Sequence, residues 1–192
     1  MTYINRHISE FVEKMTKQFK VLLLTGSRQV GKTTMLNQIF KDYEYVVLDD
    51  FRELELAKND SALFFQNHEL PLIIDEVQDA PELFKQIKLI VDKSEEKGKI
   101  ILTGSQTYKL MNTSSESLAG RICIIDMQSL SLRETFNVDF NKYFLPTKQY
   151  IDERKEKIVR YSNIWERIFR GSMPELLDSK RDWDWFYRDY IK

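Results

Sequence analysis

One cysteine and two histidines in 192 residues exclude several kinds of chemistry at the outset. Cys123 has no partner within the chain, so no intrachain disulfide can form, and a reducing, cytoplasmic setting is expected. His7 and His68 are too few, even with that cysteine, for a zinc site of nitrogen and sulfur ligands. Neither sign of charge is in excess: 29 Lys and Arg stand against 30 Asp and Glu, a formal net charge of −1. Nothing global therefore recruits nucleic acid or an acidic membrane surface. No apolar run approaches the roughly 20 residues of a spanning helix, and no signal-peptide pattern opens the chain. Fixed-period repeats and low-complexity segments are also missing. What remains is one domain with a substantial core and a small appendage.

Against that background one stretch stands out: Leu24-Thr-Gly-Ser-Arg-Gln-Val-Gly-Lys-Thr-Thr34. It reads G-x-x-x-x-G-K-T, the phosphate-binding pattern known as Walker A. The flanks suit it. Val21 to Leu24 is a short β-prone run, and residues 34–40 place Met35, Leu36, Ile39 and Phe40 at helical spacing. Strand, glycine loop and helix is the order the chemistry needs. Gly26 and Gly31 let the backbone curl with its N–H groups inward, and the helix aims its positive end at the same point. The loop residues Gly26, Ser27, Arg28, Gln29, Val30, Gly31, Lys32, Thr33 and Thr34 are thus candidate nucleotide contacts. Lys32 can reach the β- and γ-phosphates, and the Thr33 hydroxyl can ligate Mg²⁺.

A second run, Pro71-Leu-Ile-Ile-Asp-Glu76, reads as a strand buried on both faces that ends in two carboxylates. Asp75 is the candidate Mg²⁺ residue, acting through water. Glu76 can orient or deprotonate a water that attacks the γ-phosphate. Lys99 to Gln106 is the next strand and its exit. Ser105 is the first choice there for a contact to the γ-phosphate or the water, followed by Gln106 and Thr103, with a simple turn around Gly104 as the alternative. Arg121 precedes a fifth strand, Ile122 to Asp126, where an ion pair with a nearby carboxylate is the simpler reading. Asp49, Asp50 and Arg52 follow the second strand, Tyr45 to Asp49. They face either the ligand crevice or solvent.

The remaining segments read as helices. Ile4, Ile8, Phe11, Val12, Met15 and Phe19 predict an amphipathic helix from about Asn5 to Gln18. Asp60 can cap a short helix through residues 61–65. Pro81 suits the first turn of a helix with Leu83, Phe84, Ile87, Ile90 and Val91 on one side. Ser131 to Phe136 reads as a short helix. Beyond about Val138 the character changes. A boundary near residue 140 separates a nucleotide-binding domain, 1–140, from a helical segment, 141–192. In that segment Lys148 to Arg160 reads as a solvated face, and Gly171 is placed to end a helix holding Trp165 and Phe169. Trp183, Phe186, Tyr187, Tyr190 and Ile191 form one helical stripe that needs cover. Either neighbouring helices of the same segment supply it, or a further domain or another subunit does.

The motifs also occur together in a recognisable order: Gly-Ser-Arg-Gln-Val-Gly-Lys-Thr-Thr (26–34), Ile-Asp-Glu-Val-Gln-Asp-Ala-Pro (74–81), Leu-Thr-Gly-Ser-Gln (102–106), Ser-Leu-Ala-Gly-Arg (117–121) and Gly-Ser-Met-Pro-Glu (171–175). In this the chain resembles the bacterial and archaeal AAA-type P-loop ATPases that carry a C-terminal domain of unknown function. The resemblance implies an α/β P-loop NTPase fold, with an AAA-like parallel five-stranded sheet in the order 5-1-4-3-2, flanked by helices. It implies ATP rather than GTP, and no guanine-specifying N-K-x-D appears. It puts Ser105 in the place called sensor one, and Arg121 where such proteins carry a finger for a neighbour's nucleotide. Relatives continue past an element like Tyr190-Ile191 into their C-terminal domain. The expectation is therefore of a fragment, or of a gene product without its second half.

The leading functional expectation is Mg-dependent ATP binding and hydrolysis coupled to conformational change. A nucleotide-binding switch with negligible turnover shares the same site. A P-loop kinase for a small molecule ranks lower, because a water-activating carboxylate beside the Mg²⁺ aspartate serves hydrolysis. The expected partners are ATP and a homo-oligomer formed through Arg121 or the C-terminal aromatic helix, with no membrane and no nucleic acid indicated by charge.

Overall fold

The five apolar runs become one parallel sheet in the computed structural model, which describes residues 3–105 and 118–191. The strands are β1 (Val21–Thr25), β2 (Glu44–Val47), β3 (Leu72–Asp75), β4 (Ile100–Gly104) and β5 (Ile122–Asp126), in the order β2-β3-β4-β1-β5. This is the expected 5-1-4-3-2 order, read from the other edge. Every residue of β1, β3 and β4 is buried, whereas β2 and β5 at the edges are partly exposed. That is the pattern of a sheet covered on both faces, where central strands lose the polar–apolar alternation of a half-exposed strand.

On one face, Val21, Leu23, Val46, Leu72, Ile74, Ile100 and Leu102 pack with Phe64, Leu83, Phe84 and Ile87. The helices behind them are α3 (Phe51–Asn59), α4 (Ser61–Asn67) and α5 (Leu83–Asp92). Asp50 and Asp60 cap α3 and α4 by accepting from the Arg52 and Leu63 amides. Leu22, Leu24, Ile73 and Ile101 alternate with the first set and are also buried. Here α1 (Ser9–Thr16) packs on β1 and on α2 (Lys32–Ile39). The N-terminal helix is shorter than its periodicity predicts. Val12 and Met15 are buried, but Phe11 is exposed and no side chain caps the first turn.

His68, just past α4, ties three elements together. Its Nδ1 lies 2.6 Å from Glu44 on β2 and its Nε2 2.9 Å from Glu53 on α3, while its ring meets that of Phe64.

Two compact units emerge. One spans residues 8–128 and holds the sheet; the other joins the first seven residues to 129–192. The second unit takes up the chain again just before α6 (Leu132–Thr135). In the second unit Glu134 is the organising group. Its buried carboxylate pairs with Arg6 at 3.0 Å, accepts from the His7 amide, and closes a capping box with Ser131. Burial alone would raise its pKa, but the Ser131 and His7 amides and the Arg6 charge hold it below the ordinary carboxylate range. Three further helices follow: α7 (Lys148–Glu156), α8 (Ile164–Arg170) and α9 (Trp183–Tyr190). Gly171 ends α8 at φ 78°. The aromatic stripe of α9 is largely covered within its own unit. Phe186 is buried, Trp183 stacks edge-on with Phe169 at 4.7 Å, and the Tyr187 hydroxyl donates to the Arg170 carbonyl. Trp165, Trp185 and Ile191 stay exposed.

Candidate functional site

Strand register decides which residues meet. Thr25 pairs with Gly104 on one side and Asp126 on the other, and Ile74 pairs with Leu102. The carboxyl ends of four strands are therefore level, and the loop 26–31, the Asp75–Glu76 pair, Ser105 and Asp126 leave the sheet along one edge. This is the edge at which open α/β sheets bind ligands.

The loop turns by way of three residues with positive φ: Gly26 at 141°, Gln29 at 60° and Gly31 at 95°. Gly26 lies so close to the Met127 carbonyl that a Cβ would collide with it. Gly31 is the N-cap of α2, whose first turn carries Lys32, Thr33 and Thr34. Ser27, Arg28 and Gln29 are exposed, while Val30 is buried and anchors the loop. The Lys32 ammonium donates to the Gly26 and Ser27 carbonyls at 2.8 and 2.9 Å, which places its charge within the loop. Burial lowers its pKa, against the raising effects of Glu76, Asp75 and Asp126.

Asp75 is the node of the site. One carboxylate oxygen accepts from Thr33 Oγ1 at 2.7 Å and from the Tyr45 hydroxyl; the other accepts from Thr103 Oγ1 and the Glu76 amide. Burial alone would raise the Asp75 pKa, but donors from Thr103, Tyr45 and Thr33 and the Glu76 amide hold it below the ordinary carboxylate range. Burial, then the bond to Asp75, push the Tyr45 hydroxyl well above the ordinary phenol range. The oxygens of Thr33 and Asp75 form a hard donor set of the kind Mg²⁺ takes when phosphate oxygens and waters complete its shell. Among the described residues no group of three or more His, Cys, Asp or Glu side chains could hold a metal alone.

Glu76 follows in a left-handed conformation, φ 57° and ψ 41°. For a side chain with a Cβ this costs about 1–2 kcal/mol. The turn carries the chain into a single 3₁₀ turn, Val77–Asp79, and folds Gln78 back beneath Glu76. Gln78 Nε2 donates to Glu76 Oε2, and Ser105 Oγ lies 3.4 Å from the same oxygen. Ser105, the first choice on the β4 exit, is thus beside Glu76, and Thr103 is beside Asp75. Gln106 lies outside the described residues. Gln78 is 4% exposed, and its Oε1 has no hydrogen-bond partner among the described residues. A buried acceptor left without a donor costs about 1–3 kcal/mol.

Arg121 is not brought to this edge. Its neighbour Ile122 pairs with Val21, at the start of β1. The loop leaves the other end, about 13 Å along the strand. Its guanidinium is held by Asp92 at the end of α5 and donates to the Ala119 carbonyl. The ion-pair reading of Arg121 is therefore present within the chain. Asp50 serves as a helix cap, and Asp49, like Asp50, is exposed.

Two residues of the site were not singled out from the sequence. Tyr45 reaches Asp75 from β2, although Val47 is its register partner. Only the adjacency of β2 and β3 reveals this. Gln78 was visible as a polar residue two positions after Glu76, but its burial depends on the left-handed turn.

A family model described as an AAA domain matches residues 18–136. An uncharacterized protein of Mycobacterium bovis is 31% identical over 115 residues, 59% of this chain and 26% of that protein, and one of Mycobacterium tuberculosis matches to the same extent. The chain thus spans about a quarter of the length of these curated relatives. Among solved structures, a Walker-type ATPase of Pyrococcus abyssi superposes with a TM-score of 0.54 at 15% identity, covering 98% of this chain and 71% of that one. AMPPCP-bound DnaA from Aquifex aeolicus superposes at 0.52 with 16% identity, covering 90% and 57%. At these identities the likeness is one of fold.

Proposed function

This chain belongs to the AAA domain family of P-loop ATPases, and on that premise we propose that it binds Mg·ATP and hydrolyses it to ADP and phosphate, coupling turnover to a conformational change. The observation that carries the proposal is the 2.7 Å bond from Thr33 to Asp75, which joins the phosphate-loop helix to the end of β3. The loop N–H groups and the start of α2 bind the phosphates. Lys32 neutralises the β- and γ-phosphates. Thr33 and Asp75 hold Mg²⁺, which when bound neutralises charge that develops on the phosphate oxygens. Glu76 orients the attacking water and takes its proton. Ser105, beside Glu76, faces the γ-phosphate. Arg121, remote from its own loop, serves a neighbouring subunit's nucleotide in a homo-oligomer. Among the described residues no helix is long and apolar enough to cross a membrane, and we assign the protein to the cytoplasm.

The test is phosphate release with Mg·ATP, beside calorimetric binding to wild type and Lys32→Ala, with the fold of each checked by thermal melting. Wild type is expected to bind and turn over, and Lys32→Ala to lose most of its affinity. Equal affinity in the two folded proteins would remove the loop assignment. Tight binding without release above background would instead favour a nucleotide switch.

A further inference from the structure

We propose that Gln78 is the positioning residue for Glu76: its buried amide holds one carboxylate oxygen so that the other faces the attacking water. This rests on the hydrolytic reading of the site and adds a residue to it. The geometry is specific. Gln78 Nε2 and Ser105 Oγ both address Glu76 Oε2. No hydrogen bond to Glu76 Oε1 is seen among the described residues. The Gln78 bond, with Ser105 Oγ at 3.4 Å on the same side, restricts the rotation of the carboxylate and biases the direction of its other oxygen. General-base catalysis depends on that, because the base must lie within hydrogen-bond reach of the water's proton.

The chemistry of the amide supports the assignment. Only the N–H end of a glutamine can face a carboxylate. Once Nε2 is committed to Glu76, Oε1 points into the interior, where it has no partner among the described residues. A glutamine kept for stability alone would satisfy both ends. The backbone agrees. Glu76 sits in a left-handed conformation that a non-glycine residue adopts at a cost, and that turn places Gln78 beneath it. Two unfavourable features, the turn and the orphaned oxygen, converge on one hydrogen bond.

Gln78→Met tests this, because methionine keeps the volume and removes both the donor and the orphaned acceptor. It is compared with Glu76→Gln and with the double variant. Phosphate release gives kcat and KM for ATP, and thermal melting reports the fold. Gln78→Met should lower kcat by about 10- to 100-fold, the scale of a small misplacement in a reacting group. KM should stay within about twofold, with the melting point unchanged or higher. The double variant should turn over no more slowly than Glu76→Gln alone, because Gln78 acts only through Glu76. Gln78→Asn, whose amide is one methylene short of Glu76, should show the same split and serves if the methionine variant does not fold. Unchanged kcat in Gln78→Met, or a double variant whose loss is the product of the two singles, overturns the positioning role while leaving the hydrolytic reading intact. If Glu76→Gln itself turns over like wild type, the base assignment fails and the inference fails with it.

Discussion

Replacing His68 by glutamine should destabilise the sheet-bearing unit in a pH-dependent way. The imidazole sits between Glu44 and Glu53, 11% exposed, with the two carboxylates 36% and 32% exposed. Burial lowers the His68 pKa, but the hydrogen bonds to Glu44 and Glu53 outweigh it, and the net shift is upward from 6.5. The pKa of Glu44 is correspondingly lowered, first by His68. The sign follows. A group that binds its proton more tightly in the folded state contributes fully below its unfolded value, near pH 6.5, and loses that contribution as pH rises through the folded value. A hydrogen bond to a charged group contributes about 1.5–3 kcal/mol. Both carboxylates are about one-third exposed, so water competes for them, and the discounted total for the two bonds is about 2 kcal/mol. For a unit of this size that corresponds to a melting shift of about 8 °C. The neutral ring has only one N–H, so above the folded pKa one nitrogen faces a carboxylate without a proton. Melting curves of wild type and His68→Gln from about pH 6 to pH 9 should therefore show a gap that is widest at the acid end and narrows with rising pH. A gap that is constant, or that widens toward pH 9, would refute the charged bridge.

Three further outcomes follow from the contacts described. In the trans reading, Arg121→Ala and Lys32→Ala proteins are each impaired but regain turnover when mixed, and wild-type activity rises faster than linearly with concentration; linear dependence without complementation leaves Arg121 as the partner of Asp92. Tyr45→Phe removes one donor to Asp75 and should raise the Mg²⁺ concentration needed for half-maximal turnover several-fold, about 1 kcal/mol, with little change in melting; an unchanged Mg²⁺ titration would make Tyr45 a bystander. Glu134→Ala removes the buried carboxylate that pairs with Arg6 and accepts from the His7 and Ser131 amides and should cost the C-terminal unit about 1–3 kcal/mol, measurable as amide-exchange protection lost around α6.

The sheet was legible because its strands announce themselves. Val21 to Leu24 and Leu72 to Ile74 are uninterrupted apolar runs, and such runs of this length, bounded by turn residues, have few other uses. Helix ends were legible where the residue itself marks them: the side chains of Asp60 before α4 and Ser131 before α6, and the positive φ open to Gly171 after α8. The start of α1 was not. Ile4 has the right spacing, but the first seven residues pack with the C-terminal unit, where the His7 amide and Arg6 find Glu134. A periodic pattern reports that residues can share a helix face, not that the His7 amide is taken by a buried carboxylate 127 positions away. Composition changes at Val138, but the packing changes at Ser129, where Leu130 and Ser129 bond to Ser172.

At the site itself, the motif positions were legible and the shell around them was not. Asp75 receives donors from Thr33, Tyr45, Thr103 and its neighbour's amide. The three side chains come from α2, β2 and β4, and only the strand order makes them neighbours. The shell also bears on what Asp75 can do. A carboxylate has about four lone-pair sites, and all four directions are taken. Direct coordination by Asp75 would displace one of those donors. The Thr33 hydroxyl, by contrast, gives its single hydrogen to Asp75 and keeps its lone pairs for a cation. On the proposed Mg·ATP reading, Thr33 would therefore be the direct Mg²⁺ ligand of the pair, with Asp75 behind it, orienting that hydroxyl and supplying charge at one remove. The same logic governs the neighbouring carboxylate. Glu76 is bound at one oxygen only among the described residues, and on the proposed hydrolytic reading it, rather than Asp75, would accept the proton from water.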